Sequence, residues 1–296
     1  MIPPAPVRAG RNGVSLMEQV LSTHVFVRHR LTTVWLERVW DAGFSAVEIF
    51  CARQHIDYLD KAQITELGHW FRDADLKMNS LHSPMYTDDV WGRSGPHAVI
   101  DITEPKKTHR MALVDEVKRA LEIAEVIPFR YLVQHVGVAD QEMDDRRWES
   151  AFSSLEEIKV FAGQRGVEVL LENIPNGFST AERLNDLLAQ THLNLHYCFD
   201  VGHAHMAKGI EREFDLMKER IRSTHIHDNN GEEDQHVFPG KGTIDWRQTM
   251  RLLASRPDQY PLMLELKEEA DMEHPVAESR RAMDHLRALC NNSYEQ

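Results

Sequence analysis

VEVLLENIPNGFSTAERLNDLLAQTHLNLHYCFDVGHAH, residues 167–205, contains the unit from which the fold follows. Val167 to Glu172 and Leu195 to Asp200 are short aliphatic and aromatic runs of strand character. Between them, Glu182 to Gln190 carries Leu184, Leu187 and Leu188 on one face of a helix. Strand, helix, strand is the crossover that joins parallel neighbours. The alternation extends outward in both directions. Strand character recurs at Leu21 to Phe26, Ala46 to Phe50, Lys77 to His82, Tyr131 to Val136, Ser223 to His227 and Pro261 to Leu266. Helical spacing fills Val34 to Ala42, Leu113 to Ile127, Trp148 to Gly166 and Pro275 to Cys290. Eight such units close most economically as an α/β (β/α)8 TIM barrel. The rival, a doubly wound open sheet, needs a Gly-rich turn after an early strand to hold a dinucleotide phosphate, and this sequence has none.

Length agrees with one large domain. A prior of about 150 residues per domain would split 296 residues in two, but barrels run to about 250 residues as one unit, and no linker interrupts the series. The expected organisation is a loose arm over 1–18, a barrel over 19–290 and a tail over 291–296. Residues 83–106 form a long loop rich in Pro, Gly and Asp, placed to wall or cover a cavity. A formal charge of −13 repels phosphate backbones and argues against nucleic acid as a partner. Three scattered cysteines, Cys51, Cys198 and Cys290, suit neither a disulfide framework nor a CxxC zinc site and point to a reducing, cytoplasmic setting. No run approaches the ~20 apolar residues of a membrane span, and the N-terminal stretch lacks a signal core. A homo-oligomer stays open.

Chemistry gathers at the strand ends. A buried parallel strand should read as nearly continuous Val, Ile and Leu. Here the runs end in Glu48, His82, His135, Glu172, Asp200, His225 with His227, and Glu265. In a barrel these carboxyl ends converge on one rim, where such enzymes place their active sites. Any one of them reads singly as a helix cap or rim ion pair; so many on one rim do not. Carboxylates crowded without a cation would repel one another, so the pattern calls for a bound divalent metal. Mixed imidazole and carboxylate donors suit zinc, manganese or cobalt better than magnesium or calcium. Asp200 with His203, and Asp234 with His236 in the following loop, extend the set. Lys241 between two glycines is a candidate for binding substrate, as is Trp91 in the long loop. His24, Phe50 and Lys267 are candidate wall residues, and Cys198 and Met206 read as packing.

LLENIP, CFDVGHAH, THIHDNNG with DQHVFPGKGTIDW, and LMLELK together resemble the xylose-isomerase-like barrel superfamily. It includes sugar isomerases and epimerases, inosose dehydratases and the endonuclease IV type of abasic-site nuclease. The resemblance spans residues 20–290. By it, Glu172, Asp200, His225 and Glu265 would ligate the principal metal. Glu172 and Glu265 would also pass a proton by way of an enediolate of a sugar, polyol or related hydroxy-carbonyl substrate. His203 and His82 would orient hydroxyls, while Trp91 and Phe50 exclude water. The nuclease branch would use His82, His135, Glu172, Asp200, His203, His225, Asp234, His236 and Glu265 for three zinc ions. The acidic balance and the lack of basic clusters on the rim loops place that reading second. A lyase or dehydratase using the same base is a further alternative, and a non-catalytic metal-binding subunit is the last.

Overall fold

The computed structural model describes residues 17–269 and 272–291. Residues 1–16 of the expected arm, 292–296 of the expected tail and the side chain of Cys290 lie outside them. The order is β1 (Gln19–Ser22), α1 (Thr33–Asp41), β2 (Ala46–Phe50), α2 (Lys61–Asp73), β3 (Lys77–His82), α3 (Lys107–Leu121), β4 (Tyr131–Gln134) and α4 (Asp145–Gly163). It continues with β5 (Glu168–Glu172), α5 (Ala181–Gln190), β6 (His196–Asp200), α6 (Val201–Met206), α7 (Ile210–Met217), β7 (Ile221–His225), α8 (Trp246–Leu253), β8 (Leu262–Leu264) and α9 (Pro275–Asn291). All strand pairs are parallel, in the order β7-β6-β5-β4-β3-β2-β1-β8. The ring closes just past β7. Ile226 donates its N–H to the Met263 carbonyl at 2.9 Å and accepts from the Glu265 N–H at 3.2 Å. The fold is a single-domain (β/α)8 barrel.

The strands alternate between two apolar layers because side chains of a strand point to opposite faces. Val169, Leu171, Tyr197 and Phe199 belong to the large core shared with the helices. Tyr131, Val133, Leu170 and Cys198 form a separate inner cluster, as do Val20, Ala46 and Met263. The inner residues set the phase of the rim. Two positions beyond Ala46, Val133, Leu170, Cys198 and Met263 stand Glu48, His135, Glu172, Asp200 and Glu265. A period of two therefore carries each of these side chains to the same interior, above an apolar floor.

Helix starts follow from side-chain caps. Asp60, Asp144, Thr180 and Asp245 accept backbone N–H groups at the first turns of α2, α4, α5 and α8. The first strand differs from its expected bounds. It begins at Gln19 and ends at Ser22, while Thr23–Phe26 winds into a 3-10 turn whose entry Ser22 caps. That turn swings His24 toward the cavity. The long 83–106 segment is tied down rather than free. Tyr86 and Val99 pair as an antiparallel bridge, and Asp101 bonds Thr103, Gln141 and Arg147.

Candidate active site

A cavity of ≈ 1190 Å³ opens at the carboxyl end of the barrel. Its floor carries His82, His135, Glu172, His203, Asp234, His236 and Glu265. Asp200 and His225, at the ends of the neighbouring strands, are completely buried. The donors fall into three adjoining groups: His82, His135 and Glu172; Glu172, Asp200, His225 and Glu265; His203, His227, Asp234 and His236. Within each, the donor atoms lie within 4.8 Å of one another.

His225 is the hinge of the central group. Its Nδ1 lies 3.1 Å from Glu172 Oε1, 3.2 Å from Glu265 Oε2 and 3.8 Å from Asp200 Oδ2. Its Nε2 faces Glu48 Oε1 at 3.0 Å, and Glu48 Oε2 accepts from the Ser80 hydroxyl at 2.8 Å. A carboxylate only accepts, so Glu48 holds a hydrogen on Nε2 and turns Nδ1 toward the three acids, where it carries a proton toward Glu172 that a bound cation would replace. Glu48 is thus a positioning residue. The sequence marked it as a strand ending but gave it no role.

The loop after β7 is shaped by one buried acid. Asp228 Oδ1 accepts from the N–H groups of Asn229 at 2.9 Å and Ile244 at 3.2 Å. Asp228 Oδ2 accepts from Gly240 N–H at 2.8 Å and Trp246 Nε1–H at 2.7 Å. PGKGTIDW is therefore a scaffold folded around Asp228, and it returns the chain so that Asp234 and His236 overhang the cavity. His236 adopts φ 49°, an unfavourable region for a non-glycine residue. Its ring Nδ1 on the Glu265 carbonyl at 3.0 Å and its own carbonyl on Lys267 N–H at 2.9 Å hold it there.

Asp200 does two things at once. Oδ1 caps α6 through His203 N–H at 2.6 Å, while Oδ2 has no hydrogen-bond partner among the described residues. His227 Nε2 and Glu265 Oε1 are likewise buried and unpartnered. Groups so buried normally find partners. Two orphans in the central group and one in the group around Asp234 make the set chemically fit for divalent cations.

Proton equilibria carry the same imprint. Burial pushes Glu265 up to about 7. Burial also opposes charge on Glu172, but His225 and His135 outweigh it and hold that carboxylate well below the usual range. Desolvation would empty His225 and His203 of protons. Glu265, Glu172 and Glu48 override it for His225, and Asp200 and Asp234 for His203, so both are raised well above an ordinary histidine. Burial opposes a proton on His236 too, yet Asp234 prevails and lifts it to about 9. The acids thus gather positive charge onto the imidazoles, the compensation a metal supplies in such sites.

Most sequence-derived candidates converge here. Trp91 lines the cavity beside Phe50, with ring centroids 5.1 Å apart, and His24 and Lys267 line it as well. Met206, read as packing, also reaches the wall. Lys241 is not brought in: its ammonium pairs with Glu269 at 2.6 and 2.8 Å on the outer side of the loop, away from the cavity lining. Cys198 lies buried beneath Asp200. His227, left out of the expected ligands, joins the third group.

A family model described as xylose isomerase-like TIM barrel matches residues 36–289. The chain belongs to this family. A protein of Methanocaldococcus jannaschii is 29% identical over 194 residues, 63% of this chain and 75% of that one. Fructoselysine 3-epimerase of Escherichia coli O157:H7 is 25% identical over 189 residues, 61% of this chain and 68% of its own. Among solved structures, a D-tagatose 3-epimerase-like protein superposes with a TM-score of 0.75 at 23% identity, covering 94% of this chain and 99% of that one. The IOLI protein, solved with a binding zinc atom, gives 0.72 at 17% identity, covering 95% and 100%. These likenesses establish a xylose isomerase-like barrel whose relatives include sugar epimerases.

Proposed function

We propose that the chain is a divalent-metal-dependent epimerase or isomerase of a sugar or a related polyhydroxy carbonyl compound. The observation that carries this reading is the pair Glu172 and Glu265. Their oxygens stand 3.1 and 3.2 Å from one imidazole nitrogen at the floor of the cavity, and their environments push their proton affinities apart. Two acids so divided suit removal and return of a proton at one carbon. Glu172, Asp200, His225 and Glu265 would hold the principal ion, with zinc, manganese or cobalt favoured by the mixed donors. When bound, that ion supplies Lewis acidity to a carbonyl and offsets the charge of the carboxylates.

The remaining work belongs to the chain. One glutamate takes the proton next to the carbonyl, and its partner returns a proton to the same or the adjacent carbon. His82 and His135, on the flank toward the aromatic wall, are placed to bond substrate hydroxyls. Phe50, Trp91 and His24 pack against one another over the floor and exclude water from the deprotonated substrate. The fructoselysine and tagatose names of the relatives support a sugar as substrate. The protein supplied with manganese, zinc or cobalt should interconvert at least one member of a panel of ketopentoses, ketohexoses and N-linked ketosugars, read by NMR of the products. Inertness toward the whole panel would count against the reading.

The three adjoining donor groups also favour a second reading, a zinc phosphodiesterase acting on abasic DNA. The cavity mouth opposes it, since Arg28 and Lys267 are outnumbered there by Asp140, Glu232, Glu233 and Glu268. Incision of an abasic duplex at catalytic enzyme levels would reverse the ranking.

A further inference from the structure

The cavity is larger than a single sugar needs. Cavities of about 300–1,000 Å³ take whole drug-sized ligands, and this one measures ≈ 1190 Å³. A monosaccharide lying on the donor floor would leave most of it unfilled. The remaining part is built differently from the floor. Val27, Phe50 and Ala52 form an apolar cluster separate from the main core, and Met85 and Trp91 of the long 83–106 segment pack against it. Tyr86 and Val99 of the same segment extend that wall.

The rings of this wall form a row that starts at the floor. Phe50 stacks on His82 with centroids 4.4 Å apart, Trp91 meets Phe50 at 5.1 Å, and Tyr86 meets Trp91 at 6.4 Å. His24 makes a second link, 5.0 Å from His236 and 5.5 Å from Trp91. Trp91 is thus one ring removed from the donors by either route, and Tyr86 two. A sugar held at the floor meets Phe50, and the room over Trp91 and Tyr86 is left for a group attached to that sugar.

The wall is set before anything binds. Trp91 donates its N–H to Gln54 Oε1 at 3.2 Å, and Gln54 Nε2 donates to the Val27 carbonyl at 3.2 Å. The Thr87 N–H on the Ala98 carbonyl at 2.8 Å and the Ile100 N–H on the Met85 carbonyl at 2.9 Å brace the bridge between Tyr86 and Val99. Trp91 and Tyr86 are only half-buried, so each keeps apolar surface open. Such a pair favours a flat apolar partner, because ring stacking adds to the gain from burial and no ordering of the wall offsets it.

We propose that the substrate is a sugar conjugate, a carbonyl sugar joined to an aromatic group, with the sugar on the donor floor and the aromatic group against Trp91 and Tyr86. This rests on the sugar reading of the floor given under the proposed function, and names the kind of sugar compound that the floor receives. Trp91 is then a specificity-determining residue as well as a shield against water.

Titration calorimetry of the full-length, manganese-supplied protein tests this with matched methyl and phenyl β-glycosides of glucose, galactose, mannose and xylose. At least one phenyl glycoside should bind about tenfold or more tightly than its methyl counterpart. Trp91→Ala should bring that ratio close to one, Trp91→Phe should keep most of it and Tyr86→Ala should lower it in part, with far-UV circular dichroism as the folding control. Equal affinity within every pair, or a preference that survives unchanged in folded Trp91→Ala, would overturn the proposal. So would equal weakening of methyl and phenyl compounds by Trp91→Ala, which would mean that the indole covers the sugar itself. No binding by any phenyl glycoside, in a protein that turns over a free ketosugar, overturns the conjugate and leaves the proposed function standing; no binding together with inertness toward every ketosugar overturns both.

Discussion

Asp228→Asn should unseat the rim without touching a proposed metal donor or the proposed proton-transfer pair. The two carboxylate oxygens each serve two donors, Asn229 and Ile244 N–H on one side, Gly240 N–H and Trp246 Nε1–H on the other. An amide presents one oxygen and one NH2, and whichever way it turns, two donors face a third donor. Leaving a buried donor unsatisfied costs about 1–3 kcal/mol, so two should cost roughly 2–6 kcal/mol. Against a total stability of about 5–15 kcal/mol that is a large share. At about 2–4 °C per kcal/mol for a large domain, the thermal midpoint should fall by roughly 4–24 °C. Differential scanning calorimetry of the metal-free protein reads it directly, and hydrogen exchange should show the amides of Gly240 and Ile244 losing protection first. A variant within about 0.5 kcal/mol of wild type, with those amides still protected, would refute the view that Asp228 organises the loop.

Other expectations follow from the same contacts. Gly202→Ala tests two opposed effects: Ala raises helix propensity by about 1 kcal/mol, but its Cβ would overlap the His227 ring, and overpacking costs about 1–3 kcal/mol. The clash should win, lowering the urea midpoint, whereas a stabilised variant would show that the ring moves freely. Burial pushes His55 down from 6.5 to about 4, with its Nδ1 on the His29 carbonyl. The unfolded chain takes up that proton near pH 6.5 and the folded chain resists until about 4, so stability present above 6.5 is lost on acidification across that window, by up to about 3 kcal/mol. Urea unfolding from pH 7.5 to 4 should show a shallower loss in His55→Gln than in wild type, and identical slopes would contradict the assignment.

Much of the architecture was legible because parallel strands announce themselves twice, by apolar runs and by the polar residue that ends them. Glu172, Asp200, His225 and Glu265 close their runs at the position where the inner layer meets the cavity, and a period of two suffices to bring them together. The first strand was displaced because Thr23–Phe26 is as β-prone as Gln19–Ser22, and the Ser22 cap that turns the chain is a local bond that hydrophobicity does not register. His227 stands two residues past His225, the spacing of one strand face, so its signal was present; the nine-donor resemblance hid it by supplying no role. Glycines on either side made Lys241 look poised over a substrate, while the partner that draws it away, Glu269, lies across the loop from it. Asp228 reads as one more polar loop residue, since nothing in sequence spacing shows four donors from three later positions and its own neighbour converging on it.

Exchange of a carbon-bound proton with solvent tests the central claim most directly, because transfer between Glu172 and Glu265 requires it and phosphodiester cleavage does not. With a ketosugar that the metal-supplied enzyme turns over, incubation in deuterated water should place deuterium on the carbon beside the carbonyl. Glu265→Gln should lower that exchange by about two to four orders of magnitude, the usual contribution of a general base, while still binding metal. Turnover without deuterium incorporation, or a metal-loaded Glu265→Gln protein exchanging at the wild-type rate, would contradict the proton-transfer account.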